Sequence, residues 1–276
     1  MRKLFALLGD PVAHSRSPAI HARAFSLLGV DAVYAPCHVA PQDLERAVDG
    51  LRALGAEGFN ATVPHKTAVA QLVDRLHVGA VRVAAVNCVA RAGDALVGYN
   101  TDAPGLLRAM RVAGLDASGR AVIVGAGGSA RAAAFALAEQ ASALTIVNRR
   151  PDRAHSLAQA VSATGARVHT APLGSDEARA TLQEASLVVQ CTTVGMSEDA
   201  LPFDPGLLAP DAALVDLVYR GPAGTTALVR AARERGLRAV DGIDVLVHQA
   251  IASLEIWLSR PQLDELAPAL REAALA

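Results

Sequence analysis

The chain reads as an α/β protein of two domains: an N-terminal open, mainly parallel sheet completed by C-terminal helices, and an inserted doubly wound Rossmann-type domain. Three observations predict this. Short apolar runs alternate with amphipathic stretches along most of the length, the pattern of β-α-β units. The β-branched run Ala121-Val122-Ile123-Val124 passes through Gly125-Ala126-Gly127-Gly128-Ser129 into an alanine-rich helical pattern, a strand, turn and helix. The last stretches, Ile243 to Trp257 and Leu263 to Leu275, are helical and have no strand to pair with in the second domain, so they pack back on the first. The expected division is 1–101 with 241–276, and 102–240.

The elements follow in order. Leu4 to Leu8 is the first strand; Gly9-Asp10-Pro11 ends this apolar run far too early for a signal peptide. Ser17-Pro18 opens a helix to Gly29, and Pro41-Gln42-Asp43 opens another to Gly55. A strand runs from Gly58 to Val63, with Pro64 opening a third helix. Val86 to Ala90 and Ala95 to Tyr99 form a hairpin around Ala92-Gly93-Asp94. A helix from Asp102 to Ala113, closed by Gly114, crosses to the second domain. There, strands at Ala121–Val124, Leu144–Val147, Arg167–Thr170, Leu187–Gln190 and Leu214–Val218 build the doubly wound sheet.

Composition excludes several functions. With 276 residues and 52% hydrophobic content, two cores fill readily. Twenty-six basic against twenty-seven acidic residues leave a net charge of −1, so no global field argues for nucleic acid. No run approaches the roughly 18 apolar residues of a membrane span. The eight histidines form no i, i+4 pair, so no metal site is expected. Three widely spaced cysteines, Cys37, Cys88 and Cys191, without a Cys-x-x-Cys pattern fit the reducing cytoplasm.

The glycine turn carries the first chemistry. Gly125 permits the tight turn, Gly127 lets backbone N–H groups approach a pyrophosphate, and the helix behind adds partial positive charge. Ala130 takes the close-packing position of a third glycine. The next strand ends in Asn148-Arg149, where an NAD-binding unit would carry an acid for the ribose 2′-hydroxyl. Arg149, Arg150 and Arg153 crowd that end, and a guanidinium grips a 2′-phosphate, so the expected cofactor is NADP(H). Arg150 and Arg153 also fit as solvated charges at a helix start marked by Pro151 and Asp152. Arg149 sits directly at the strand end.

Five polar groups lie where apolar runs end, which is where open α/β sheets bind ligands. Ser15 and Ser17 in Ala13-His14-Ser15-Arg16-Ser17-Pro18 suit a carboxylate, although Ser17 also reads as a helix N-cap. Asn60 and Thr62 share a strand face, and Lys66 follows in the first turn of a helix, where the dipole disfavours a cation. Asn87 lies in the strand Val86-Asn87-Cys88-Val89 and reads as a site residue or a bridge between strands. Asp102, after Gly98-Tyr99-Asn100-Thr101, reads as an N-cap and as a catalytic carboxylate. Gln249 stands in an otherwise apolar helix after Asp241-Gly242-Ile243-Asp244.

From the serine loop to the Gln249 helix, these motifs resemble the shikimate dehydrogenase family, NADP-dependent enzymes that reduce 3-dehydroshikimate in aromatic amino acid (chorismate) biosynthesis. The resemblance implies that Ser15 and Ser17 hold the substrate carboxylate. It implies that Thr62, Lys66, Asn87, Asp102 and Gln249 contact the ring hydroxyls, with Tyr219 reaching the ring from the other domain. Gly125, Ala126, Gly127, Gly128 and Ser129, with Asn148, Arg149, Arg150 and Arg153, match the cofactor contacts; Val218 and Gly242 match positions beside the nicotinamide. Three positions depart from the pattern: Ala22 after His21, Gln190-Cys191-Thr192-Thr193 before Gly195-Met196, and Val78 in place of an acid.

Reducing a ketone with a hydride requires a proton for the oxygen. Lys66 as an ammonium supplies it, with Asp102 orienting the lysine. A quinate or aminoshikimate dehydrogenase would use the same pair on another ring. A catalytically silent NADP-binding sensor would bind cofactor without turnover. The expected partners are small molecules only, in a cytoplasmic monomer or homodimer.

Overall fold

The computed structural model describes residues 2–220 and 224–276. It divides into two units, Met1–Gly105 with Val247–Ala276, and Leu106–Leu246, so the divisions fall inside two helices.

The first unit is built on a six-stranded mixed sheet. Its strands are β1 (Lys3–Gly9), β2 (Ala32–His38), β3 (Gly58–Ala61), β4 (Arg75–Leu76), β5 (Cys88–Ala92) and β6 (Ala95–Tyr99), in the order β2-β1-β3-β5-β6-β4. β1 runs parallel to β2 and β3, whereas β5 is antiparallel to both β3 and β6. One sheet edge therefore collects the ends of β1, β2, β3 and β6 and the start of β5. Its helices before the crossover are α1 (Ser17–Leu28), α2 (Leu44–Ala53), α3 (Lys66–Val69), α4 (Val78–Val83) and the start of α5 (Asp102–Val112). Leu8, Leu44, Val48, Phe59, Val69, Val86 and Val89 are among the residues that fill the core.

The second unit is parallel throughout: β7 (Arg120–Val124), α6 (Gly128–Leu137), β8 (Ala143–Asn148), α7 (Pro151–Ser162), β9 (Val168–Pro172), α8 (Asp176–Gln183), β10 (Leu187–Gln190), β11 (Ala213–Asp216), α9 (Ala227–Glu234) and β12 (Arg238–Val240). The order β12-β11-β10-β7-β8-β9 reverses direction at β7, and the crevice above such a reversal is where doubly wound sheets bind dinucleotides. The chain then returns through α10 (Gly242–Leu258) and α11 (Ala267–Leu275). Trp257 of α10 packs its ring 4.7 Å from that of Phe5 in β1 and donates Nε1–H to Val89 O at 2.9 Å. Arg16 donates to Ala274 O of α11 at 2.7 Å. The terminal helices thus complete the first core, as expected.

Several boundaries differ from expectation. β3 stops at Ala61, β11 stops at Asp216 and β5 starts at Cys88, which leaves Thr62, Val218 and Asn87 just outside the ladders. The helix after Pro64 is a single turn. The short strands β4 and β12 carry too few residues to show alternation. Two caps also differ. Ser17 is the first helical residue, not the cap, and its N–H donates to Ser15 Oγ at 3.3 Å. At α5 the Asn100 carbonyl oxygen Oδ1 accepts from Ala103 N–H at 3.2 Å, which leaves the Asp102 carboxylate available for other partners.

Candidate active site

Lys66 begins α3, and its backbone is held on both sides. His65 is buried and donates Nε2–H to Val39 O at 2.7 Å, and Val86 N–H donates to Lys66 O at 2.8 Å. Its ammonium donates to Asp102 Oδ2 at 2.6 Å, with only 12% and 18% of the two side chains exposed. The pair meets because β3 and β6 end on the same sheet edge. The other carboxylate oxygen, Oδ1, accepts from Asn87 Nδ2 at 2.8 Å, and that nitrogen lies 3.3 Å from Gln249 Oε1. Gln249 comes this near because α10 crosses α5 at Gly105: a Cβ there would lie 2.6 Å from the Gln249 Cβ.

Around this group, Ser15 is half-buried in the loop after β1 and Ser17 is buried at the start of α1. That loop is sewn to the end of β3 by Asp10 N–H to Val63 O at 3.0 Å and Thr62 N–H to Leu8 O at 2.9 Å. Gly9 is required there, since a Cβ would lie 2.3 Å from Thr62 Cγ2. Asn60 faces inward. It accepts from Tyr34 OH at 2.8 Å and gives its two N–H groups to Asn87 O at 2.9 Å and Ser253 Oγ at 3.1 Å. Its amide therefore serves the interior.

The first unit thus gathers Ser15, Ser17, Thr62, Lys66, Asn87, Asp102 and Gln249 on one edge. Two buried hydroxyls, Thr101 and Ser253, join the same network without having been singled out in the sequence. Ser253 lies four residues after Gln249, one turn along an apolar helix, and that spacing was the available signal.

In the second unit Gly125 has φ +121°, and the turn leads into the N-terminus of the ten-residue α6. A Cβ at Gly127 would meet nothing within 4 Å, so the space in front of the helix is open to a ligand, while Ala130 is fully buried. Arg149, Arg150 and Arg153 are exposed around the end of β8, Arg150 pairing with Asp152 at 3.2 Å. Asn148 turns its amide to Arg150 O at 2.9 Å. An open turn, a helix N-terminus and cationic side chains fit a phosphorylated dinucleotide.

Val218 and Gly242 touch, since a Cβ on Gly242 would lie 2.4 Å from Val218 O. Asp216 holds this segment, accepting from Val218 N–H at 3.0 Å and Thr226 Oγ1–H at 2.6 Å. Burial pushes its carboxyl up to about 6, with Asp241 adding to the rise and the two hydrogen bonds opposing it. Tyr219 follows three residues after β11 and is half-buried. Among the described residues no cluster of His, Cys, Asp and Glu could hold a metal, and no helix is long and apolar enough to cross a membrane.

A doubly wound dinucleotide unit, joined in one chain to an α/β unit with a half-buried Lys–Asp pair, defines an NADP-dependent oxidoreductase. Residues 7–89 match the family model described as shikimate dehydrogenase substrate binding domain, and residues 109–197 match shikimate / quinate 5-dehydrogenase. The chain belongs to the shikimate dehydrogenase family. A shikimate dehydrogenase (NADP(+)) of Symbiobacterium thermophilum is 45% identical over 94% of this chain and 90% of its own length. One of Rubrobacter xylanophilus is 48% identical over 92% and 90%. The crystal structure of shikimate 5-dehydrogenase from Thermus thermophilus in complex with NADP(H) and shikimate superposes with a TM-score of 0.87 at 35% identity, covering 99% of this chain and 98% of that one.

Proposed function

We propose that this protein catalyses the reversible NADPH-dependent reduction of 3-dehydroshikimate to shikimate, in aromatic amino acid biosynthesis. The observation that carries the reading is the Lys66–Asp102 contact of 2.6 Å beside the serine loop, in a chain of this family. When bound, NADPH supplies the hydride to the ketone carbon. Gly125 to Ser129 take its pyrophosphate, Asn148, Arg149, Arg150 and Arg153 its 2′-phosphate side, and Val218 and Gly242 its nicotinamide side.

The Lys66 ammonium gives a proton from Nζ to the ketone oxygen and regains one from solvent; in the reverse direction it accepts the hydroxyl proton. Asp102 orients Nζ and offsets its charge. Ser15 and Ser17 hold the substrate carboxylate, while Thr62, Asn87, Gln249 and Tyr219 contact the ring hydroxyls. Asn60 acts from behind, through Asn87. We also place the protein in the cytoplasm, as a monomer or homodimer; Cys37, Cys88 and Cys191 are free thiols, consistent with a reducing compartment.

The test is NADPH oxidation by the purified protein with 3-dehydroshikimate, with NADH in parallel. Turnover preferring NADPH is expected. Turnover preferring NADH would remove the arginines from cofactor selection, and no turnover with either would overturn the assignment.

A further inference from the structure

A network of buried hydrogen bonds runs behind the Lys66–Asp102 pair. Asn87 Oδ1 accepts from the backbone N–H of Thr101 at 2.6 Å, which fixes the amide with its NH2 turned to Asp102 Oδ1 at 2.8 Å and Thr101 Oγ1 at 2.9 Å. The Thr101 hydroxyl, having accepted one of the Asn87 hydrogens, has two acceptors in reach of its own proton, of which Asn87 Oδ1 at 3.2 Å is one. Ser253 Oγ, the other, lies 3.2 Å away. Ser253 in turn donates to Gln249 O at 3.1 Å and accepts from Asn60 Nδ2 at 3.1 Å. Thr101 is 1% exposed and Ser253 is fully buried, so water does not replace a missing partner at either.

We propose that Ser253 and Thr101 are positioning residues for the proton-transfer pair: the relay Asn87, Thr101, Ser253, Gln249 O locks the Asn87 amide against Asp102 and ties α10 to it. The inference rests on Lys66 and Asp102 being the reacting pair. It extends the site by a layer that touches neither substrate nor cofactor. Asp102 receives two hydrogen bonds in this arrangement, one from Lys66 on Oδ2 and one from Asn87 on Oδ1. Loss of the relay leaves the Asn87 N–H that faced Thr101 with only the longer contact to Gln249 Oε1 at 3.3 Å, so the amide, still held at Oδ1 by the Thr101 backbone N–H, swings its Nδ2 off Asp102 Oδ1. The carboxylate, with its second hydrogen bond weakened, is then held less firmly against Nζ.

The test compares Thr101→Val, which keeps the shape and removes the hydroxyl, with Thr101→Ser, which restores it, and with Ser253→Ala. Each is assayed on folded protein counted by NADPH binding sites. Thr101→Val and Ser253→Ala should each lower kcat about tenfold, the kinetic equivalent of one buried unsatisfied hydrogen-bonding group, with KM for shikimate changed less than kcat and Thr101→Ser near wild type. Added to Lys66→Ala, Ser253→Ala should lower the residual rate no further, because a positioning residue acts through the group it positions.

A loss of stability with kcat unchanged, or a full tenfold loss that persists in the Lys66→Ala background, would overturn the inference and leave the proposed function standing. A wild-type protein that turns over no shikimate would overturn both.

Discussion

At Lys66 the expected helix is a single turn, too short for a dipole to oppose the cation, and what holds the residue is a carboxylate at 2.6 Å and a backbone fixed by Val86 N–H and His65. Lys66→Ala should lower kcat by about 10² to 10⁴, the usual worth of a positioned acid or base, with cofactor affinity retained; an unchanged kcat would take Lys66 out of the chemistry. His21 carries a second residue-scale prediction. Its ring is fully buried, stacks on Tyr34 at 4.3 Å, and has no hydrogen-bond partner on either nitrogen. Burial lowers its pKa to about 3 from 6.5. The unfolded chain therefore binds a proton that the native chain refuses, so this contribution to stability is present above about pH 6.5 and is lost as pH falls towards 3. His21→Phe keeps the stack and removes the dependence. Its stability relative to wild type should rise by about 2 kcal/mol between about pH 7.5 and pH 5, and a constant difference in urea unfolding would refute the assignment.

At the scale of elements, position along the sheet edge converts ordinary strand ends into sites. β7 ends at the switch point against β10, β8 ends on its other side, and the segment after β8 is the exposed cationic one. Arg149→Ala should weaken NADPH much more than NADH, measured by titration of each; equal losses would show that the arginine does not read the 2′-phosphate. The glycine turn, the parallel alternation and the helix-opening prolines were legible in the sequence because each is a local rule of backbone conformation. Asp102 was less so. A carboxylate at a helix start reads as a cap, and only the fold shows that Asn100 takes the capping role and frees Asp102 for Lys66. β4 and β12 were invisible for another reason: a strand of two or three residues has no period to detect.

At the scale of the molecule, the first unit depends on chain from both ends of the sequence. Trp257 packs on Phe5, Ser253 joins Asn60, and α11 is anchored by Arg16. A fragment of residues 1–105 should therefore fail to fold cooperatively alone. Residues 106–246, with their own sheet and core, should fold and bind NADPH by calorimetry. A cooperative thermal transition in the first fragment would contradict this. The sequence by itself determined the fold class, the glycine turn with its arginines and the residue types of the proposed catalytic set, because these rest on local periodicity, glycine conformation and charge. Only the tertiary structure decided that Asn60 turns inward, that Asn87 points an N–H at Asp102, and that Thr101 and Ser253 stand behind them. Hydrogen-bond direction between residues up to 193 positions apart depends on which strand ends and helices the topology brings to one edge, and no local rule encodes it.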